Sequence, residues 1–431
     1  MGRGWWAVSI FAAAAVLSYT DRLILGVLVD PIRHELGFSD TQIGILQGTA
    51  FAVLYAFIGL PLGRIADVVP RRALLVFAVL TWSLGTALCG LAHSFAALFA
   101  ARLLVGLGEA ALAPAAMSLI GDYFPAERRA LPTGVFLTGM VIGGGSAIAI
   151  GGFLLNAAQH LAFAAFPMVG RLEPWREVLV ILGLSGAALA VLLATVREPR
   201  SRKTSRADIR ARLLSWDELR HLFGDHGKVL LPLYAAMAIG SIVDFAVLSW
   251  TPALLERHFG MSAGEVGLAL GLAAVAAGLL GTPLGGFLAD WISARFGLLA
   301  RIRVGLAVLL LGMAAAPIGI VNSSAVVIAS TFLWIFVSSL AGTIGIATTL
   351  DLLAPGSRGI GTATIAFCNM IVGLGLGPTL VALTADHIYA APDAIGPALS
   401  TVVAPAIAIC CVLFWLAASM ARRTSPVAAP A

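Results

Sequence analysis

Charge is what this sequence lacks most by comparison with a soluble protein. Asp, Glu, Lys and Arg make up 11% of its 431 residues, less than half of the roughly 25% usual in a soluble domain. With 60% hydrophobic residues and a mean hydropathy of +0.98, that scarcity excludes a water-soluble globular fold. The apolar runs are long, follow one another along the whole chain and do not alternate. An all-α membrane protein is therefore expected, rather than a β-barrel.

Cysteine is scarcer still, with four residues. Cys89, Cys368, Cys410 and Cys411 all lie in apolar runs without metal-ligand spacing, so neither a disulfide framework nor a metal site is expected. The chain has no H-E-x-x-H motif, no pairing of nucleophile with base and no large polar domain. These gaps argue against an intramembrane enzyme and against a receptor. Gly373-Leu374-Gly375 has a trace of a dinucleotide-binding loop, but it follows no strand and sits in an apolar span. No cofactor is expected. Nor does any histidine fall in mid-span, which leaves acids as the only candidate proton carriers.

Twelve spans can be drawn. The first six cover approximately 5–31, 40–66, 72–92, 95–121, 131–157 and 175–196; the second six cover 229–255, 263–289, 301–321, 325–352, 359–385 and 398–420. The first contains Asp21 and Arg22 and is too long and polar for a cleaved signal peptide, so it reads as a retained span. Of the 27 Lys and Arg residues, 21 fall in loops on one side and four on the other, with Arg22 and Arg102 inside spans. The net charge of +5 thus fits the positive-inside rule, with both termini cytoplasmic, and no nucleic-acid partner is expected. Three regions follow: residues 1–197, a basic linker over 198–228 and residues 229–431. In the linker Trp216, Leu219 and Phe223 recur at helical spacing, as in an amphipathic helix on the membrane surface. The outer loop 158–174, with Phe163, Phe166 and Met168, is the longest on its side.

The chain is an internal duplication. Gly37, Ser39, Gly44, Gly63, Ala66 and Asp67 recur without a gap as Gly260, Ser262, Gly267, Gly286, Ala289 and Asp290, and Asp21 maps in the same register onto Asp244. Further on, Asp122, Pro125 and Arg128 are echoed by Asp351, Pro355 and Arg358. Two six-helix bundles in parallel repeat, with a site at mid-membrane between them, are the expected architecture. Ser39-Asp40-Thr41-Gln42 and Ser262-Ala263-Gly264-Glu265 read as capping boxes that open equivalent helices. Glycines 139, 143, 144, 151 and 152 give the fifth span a face for close packing.

Ionisable residues inside a membrane are costly and are functional candidates by default. Four stand in the first half: Asp21, Arg22, Arg102 and Glu109. Arg102 and Glu109 are seven residues apart and share a helix face, roughly 10.5 Å apart along the axis. Asp21 and Arg102 lie at similar depth and could pair, with Glu109 and Arg22 deeper or beside them. An anionic headgroup competing for Arg102 would release a carboxylate to take a proton, a route to proton coupling. A structural ion-pair network fixing the first span against the fourth is the alternative. In the second half Asp244 is the acid well inside a span, near Phe245 and Trp250, with Trp334 and Phe336 on the tenth span and Phe367 and Asn369 on the eleventh. Asp244 reads as a second proton site or a helix cap in the cavity. The in-phase second-half positions for Arg102 and Glu109 are Phe332 and Ser339, so a charged first-half wall facing an apolar second-half wall is expected.

Gly63, Asp67, Arg71 and Arg72 resemble the loop signature G-x-x-x-D-(R/K)-x-G-R-(K/R) of the major facilitator superfamily, with Val68 and Pro70 departing from it. The resemblance implies a cytoplasmic gate at Asp67, with Arg71, Asp122 and Arg128 as candidate partners. Tyr19-Thr20-Asp21-Arg22, Gly44-Ile45-Leu46-Gln47, Phe51, Tyr55, the run Arg102-x-x-x-Gly106-x-Gly108-Glu109-Ala110 and Asp122-Tyr123-Phe124-Pro125 resemble the Spinster branch of that superfamily. Members move amphipathic lipids such as lysophospholipids and sphingosine-1-phosphate. The resemblance implies that Asp21, Arg22, Arg102 and Glu109 form the polar site, with Tyr19, Phe51, Tyr55, Asp244, Trp250, Trp334, Phe367 and Asn369 as cavity candidates. The expectation is a monomeric, proton-coupled secondary transporter of an anionic or zwitterionic amphiphile in the cell membrane, with a transporter of small organic anions as the alternative.

Overall fold

The computed structural model describes residues 2–65, 69–125, 128–161, 172–198, 224, 227–353, 358–391 and 394–424. Most of the linker therefore lies outside the described residues, as do its Trp216, Leu219 and Phe223; so do Asp67 and the outer-loop residues Phe163, Phe166 and Met168.

Among the described residues every regular element is helical. In the first half these are α1 (Gly2–Leu23), α2 (Val29–Leu36), α3 (Asp40–Gln47), α4 (Thr49–Ile65), α5 (Arg71–Leu91), α6 (Phe95–Glu109), α7 (Leu112–Tyr123), α8 (Ala130–Leu161) and α9 (Pro174–Ala194). The second half has α10 (Gly227–Phe259), α11 (Ala263–Gly312), α12 (Ser324–Leu352), α13 (Arg358–Cys368), α14 (Gly375–Leu383) and α15 (Ile395–Thr424). A π-helical turn at Asn369–Leu374 joins α13 to α14. α3 with α4, and α6 with α7, are single spans interrupted in the membrane. The expected eighth and ninth spans run together as α11, but Gly297 breaks it at φ 78°, ψ 179°, a conformation open mainly to glycine. Eleven continuous apolar segments thus amount to twelve crossings. Large apolar side chains such as Phe77, Phe153, Val191 and Leu311 stand exposed on the outside of the bundle, the face that lipid covers.

The duplication is visible atom by atom. Ser39 caps α3 through the Gln42 amide and Ser262 caps α11 through the Glu265 amide, each as a reciprocal capping box. The glycines that precede them, Gly37 and Gly260, both take a left-handed conformation, with φ of 67° and 65°. Near the other end of the molecule Arg71 pairs with Asp122 at 2.6 Å, and in the second half Arg301 pairs with Asp351, also at 2.6 Å.

The halves meet along two seams, α8 against α11 and α3–α4 against the π turn and α14. Both seams open in one direction. Gly152 lies against the Ala263 carbonyl, Gly145 against Gly271 and Val275, and Gly278 against Val141, whereas Gly134, farther toward the start of α8, faces open space. On the other seam Gly44 and Gly48 press on the backbone of Pro378 and Leu374, while Gly59 touches only Ala110 of its own half. At the far end, away from the termini, side chains of both halves share one apolar core. Toward the terminal end they part.

Candidate functional site

Between the halves lies a cavity of about 470 Å³, within the range of small-molecule sites. Tyr19, Leu23, Met140 and Val141 line it from the first half; Phe245, Leu248, Trp334, Met370 and Phe414 do so from the second. Of the eight cavity candidates read from the sequence, Tyr19, Asp244, Trp334 and Asn369 line it. The other four do not. Trp250 is fully buried and donates to the Pro378 carbonyl at 2.9 Å, so it serves packing of α10 on α14. Phe367 meets Phe57 edge to face. Phe51 and Tyr55 stack on each other behind the cavity wall.

The first-half charges form a closed cluster one layer back. Gly106 and Gly108 let α6 approach the Phe51 backbone on α4 and the Trp82 backbone on α5 so closely that a methyl group would collide. That approach sets Glu109, at the end of α6, against α1. Arg22 Nη2 lies 2.8 Å from Glu109 Oε2, and the Ser18 hydroxyl donates to the same oxygen at 2.7 Å. The Arg22 guanidinium sits over the rings of Tyr19, Phe51 and Tyr55 at 4.3, 4.9 and 4.9 Å. Its Nη1 points to the sulfur of Met370, 3.9 Å away. Only Tyr19 and Met370 of this group reach the cavity.

Arg102 does something the sequence did not lead us to expect. The expected Asp21–Arg102 ion pair is absent. Arg102 Nε donates to the Leu46 carbonyl at 3.2 Å, Nη1 to the Asp21 carbonyl at 3.1 Å and Nη2 to the Arg22 carbonyl at 3.2 Å. Those carbonyls sit where α1 ends and where α3 breaks before α4, places where helical partners run out. Arg102 thus pins two interrupted helices and does not line the cavity. The Asp21 carboxylate, fully buried, lies beside Thr86 of α5 without a hydrogen bond of ordinary geometry to either oxygen. Asp21 and Arg22 are neighbours in sequence yet face different sides of α1. The charged wall of the cavity is consequently not the first half's: Asp244, on α10, is the carboxylate that lines it.

At the terminal end Arg71 holds both Asp122 and Glu198 and donates to Ser118. Arg128 is exposed and makes no ion pair among the described residues, and Gly63 lies in α4. Of the gate candidates, the structure brings Arg71 and Asp122 together, both in the first half. The far end holds a lock that the sequence reading missed. Arg257, on α10, grips Asp40 bidentately at 3.0 and 3.0 Å and reaches Asp30 at 2.6 Å, joining second half to first. The Thr41 amide donates to Asp386 across the same seam at 2.7 Å. The available signal was the shortage of basic residues on that side, where Arg257 is one of four.

Known proteins complete the picture. A protein named as an MFS-type efflux pump, from Mycolicibacterium smegmatis, is 30% identical over 433 residues, covering 98% of this chain and 94% of its own. The probable galactarate/D-glucarate transporter GudP of Bacillus subtilis is 28% identical over 314 residues, 66% of this chain and 64% of its own. Among solved structures, a bacterial homolog of the human lysosomal transporter Spinster, inward-facing and unoccupied, matches with a TM-score of 0.79 at 25% identity and covers 98% of this chain and 97% of its own. Residues 11–378 match the Major Facilitator Superfamily, and with two duplicated bundles packed around a central cavity, the chain belongs to that superfamily as a multi-pass membrane transporter of Spinster type.

Proposed function

We propose that this transporter moves an amphiphile by proton-coupled alternating access, the class that includes single-chain phospholipids. The observation that carries this reading is the cavity itself, large, mostly apolar and backed by the Arg22–Glu109 pair behind Tyr19 and Met370. Apolar walls suit an acyl chain. An anionic group drawn toward Arg22 would compete with Glu109, and a carboxylate deprived of its cation in an apolar site takes up a proton rather than stay charged. Glu109 is then the proton carrier, with Asp21 as a second candidate. The positive-inside count supports a cytoplasmic terminal end, and on that reading the halves stand open to the cytoplasm and are locked outside by Arg257. Gly63, Asp67, Arg71, Asp122 and Arg128 would act at the cytoplasmic end when the halves close there. We take the working unit to be a monomer in the cell membrane.

The alternative, transport of small organic anions, draws support from relatives such as the galactarate/D-glucarate transporter. Against it, no Lys, Arg or His among the described residues lines the cavity. Proteoliposomes decide the matter. Uptake of a radiolabelled lysophospholipid should rise several-fold when a pH gradient is imposed. Full competition by short dicarboxylates, with no uptake of single-chain lipid, overturns the proposal.

A further inference from the structure

The cavity's chemistry is one-sided. Among the described residues that line it, Asp244 is the carboxylate and no Lys, Arg or His accompanies it. Its hydrogen-bond partners are neutral: Trp334 Nε1 donates to Oδ1 at 2.8 Å, and Ser338, one turn farther along α12, reaches the same carboxylate. No cation lies within salt-bridge distance among the described residues. A membrane carboxylate ordinarily pairs with a basic side chain when one is in reach. Here the pairing position is open to the cavity.

The neighbouring polar groups also present lone pairs. Ser241, which lines the cavity one turn before Asp244, gives its proton to the Met237 carbonyl at 2.9 Å. Thr343 gives its proton to the Ser339 carbonyl at 2.8 Å. Asn369, placed on the wall where the π turn begins, has a buried side-chain oxygen with no donor. π turns recur at functional sites. A carboxylate without a counter-ion, together with acceptors that have no donor, is complementary to a group that is both positive and donor-rich.

We infer that the cavity recognises a positively charged amine or quaternary ammonium group on its substrate, with Asp244 as the counter-ion. This rests on the amphiphile reading and narrows it to zwitterionic molecules. The ammonium group sits at Asp244, the apolar portion lies along Phe245, Leu248 and Met140, and any anionic group of a zwitterion points toward Tyr19 and Arg22.

The test uses purified full-length protein in phosphatidylcholine liposomes. Uptake of radiolabelled lysophosphatidylcholine is inhibited by decyl-chain compounds that differ only in headgroup: trimethylammonium, phosphocholine, phosphate and maltoside, all kept below concentrations that perturb the liposomes. In the wild type the trimethylammonium and phosphocholine compounds should inhibit at concentrations at least tenfold lower than the phosphate. For the variants, binding of the same four compounds is read without transport, from the change in intrinsic tryptophan fluorescence, since Trp334 lines the cavity: Asp244→Asn should lose the preference while the maltoside binds as it does to the wild type, and Asp244→Glu should preserve it. Gel filtration of each variant separates loss of fold from loss of recognition. Lysophosphatidylcholine uptake without charge preference, or an equal loss for all four compounds in Asp244→Asn, overturns the amine inference and leaves the amphiphile reading intact. Absence of lipid uptake with transport of short organic acids overturns both.

Discussion

The two halves descend from one duplicated unit, yet each treats its in-span carboxylates differently. Asp21 and Glu109 in the first half are buried behind the cavity wall, where Arg22 and Ser18 engage Glu109 and Thr86 lies beside Asp21. Asp244, which occupies the position of Asp21 in the second half, lines the cavity with only neutral donors around it. The same place in the repeat thus holds an acid enclosed among helices in one half and an acid facing the cavity in the other. What separates them is the surroundings. α5 closes over Asp21, whereas α12 supplies Trp334 and Ser338 to one side of Asp244 and leaves the other open. A charge in a membrane span is therefore a statement about cost; only its neighbours tell whether structure or ligand compensates it.

The largest way to break this comparison is Arg102→Met. It leaves three main-chain carbonyls at two helix breaks without donors, each costing about 1–3 kcal/mol when buried, against a total stability of only about 5–15 kcal/mol. The expected outcome is loss of monodisperse protein on gel filtration, or a melting temperature lowered by well over 10 °C. Arg102→Lys should rescue little, because one ammonium cannot reach three carbonyls as a planar fork does. A variant that melts like the wild type but no longer binds substrate would return Arg102 to the ligand site.

Next comes the buried pair. Glu109→Gln keeps an acceptor for Ser18 and Arg22 but removes the anion, a loss of about 1.5–3 kcal/mol of charged hydrogen bonding. The protein should stay folded, and transport should lose its dependence on a pH gradient; pH dependence like that of the wild type would remove Glu109 from proton coupling. The double change Arg22→Met with Glu109→Leu should recover most of the stability that either single change loses, since an apolar replacement of a whole buried pair is often neutral. By contrast, Asp244→Asn should shift stability by no more than about 0.5 kcal/mol, because asparagine can still accept from Trp334. Thermal unfolding in detergent measures all of these on one scale.

Much of this was legible beforehand. The span count, the duplication, both capping boxes and the four in-span charges can all be read from the residues. The partners of those charges could not be, for two physical reasons. Adjacent residues such as Asp21 and Arg22 stand about 100° apart around a helix, so a small rotation of α1 decides which one meets Glu109. The role of Arg102 depends on α1 ending at Leu23 and on the break between α3 and α4 at Gly48, and neither interruption is announced by a proline at that point. The Arg257 lock escaped notice because it joins residues more than 200 positions apart in sequence. The expected contrast of a charged first-half wall with an apolar second-half wall is reversed at the cavity, since Arg102 points away from it and Asp244 toward it.

The far-end lock tests whether the two halves are held in this arrangement by charge or by packing. Arg257→Gln leaves Asp30 without its arginine and Asp40 with only Arg33, 3.8 Å away, so the equilibrium constant for the locked state should fall at least tenfold, about 1.4 kcal/mol. Spin labels placed across the far end should report a second, longer distance. A single unchanged distance would mean that the shared apolar core and the Gly44–Pro378 contact hold that end alone.

The smallest effects sharpen the comparison most finely, because they concern a pair that the duplication did preserve. The Asp122 and Asp351 side chains are 43% and 56% exposed, so each ion pair should contribute no more than about 1 kcal/mol. The two should still differ. Arg71 keeps Glu198 when Asp122 is lost, whereas the buried Arg301 has an unpartnered Nε and relies on Asp351. Asp351→Asn should therefore lower the melting temperature more than Asp122→Asn, and the two shifts should add, since the sites share no partner. Equal shifts would mean that Glu198 contributes nothing to holding Arg71. The first half would then be anchored at its terminal end as the second is, and the asymmetry between the halves would begin only at the level of Asp21 and Asp244.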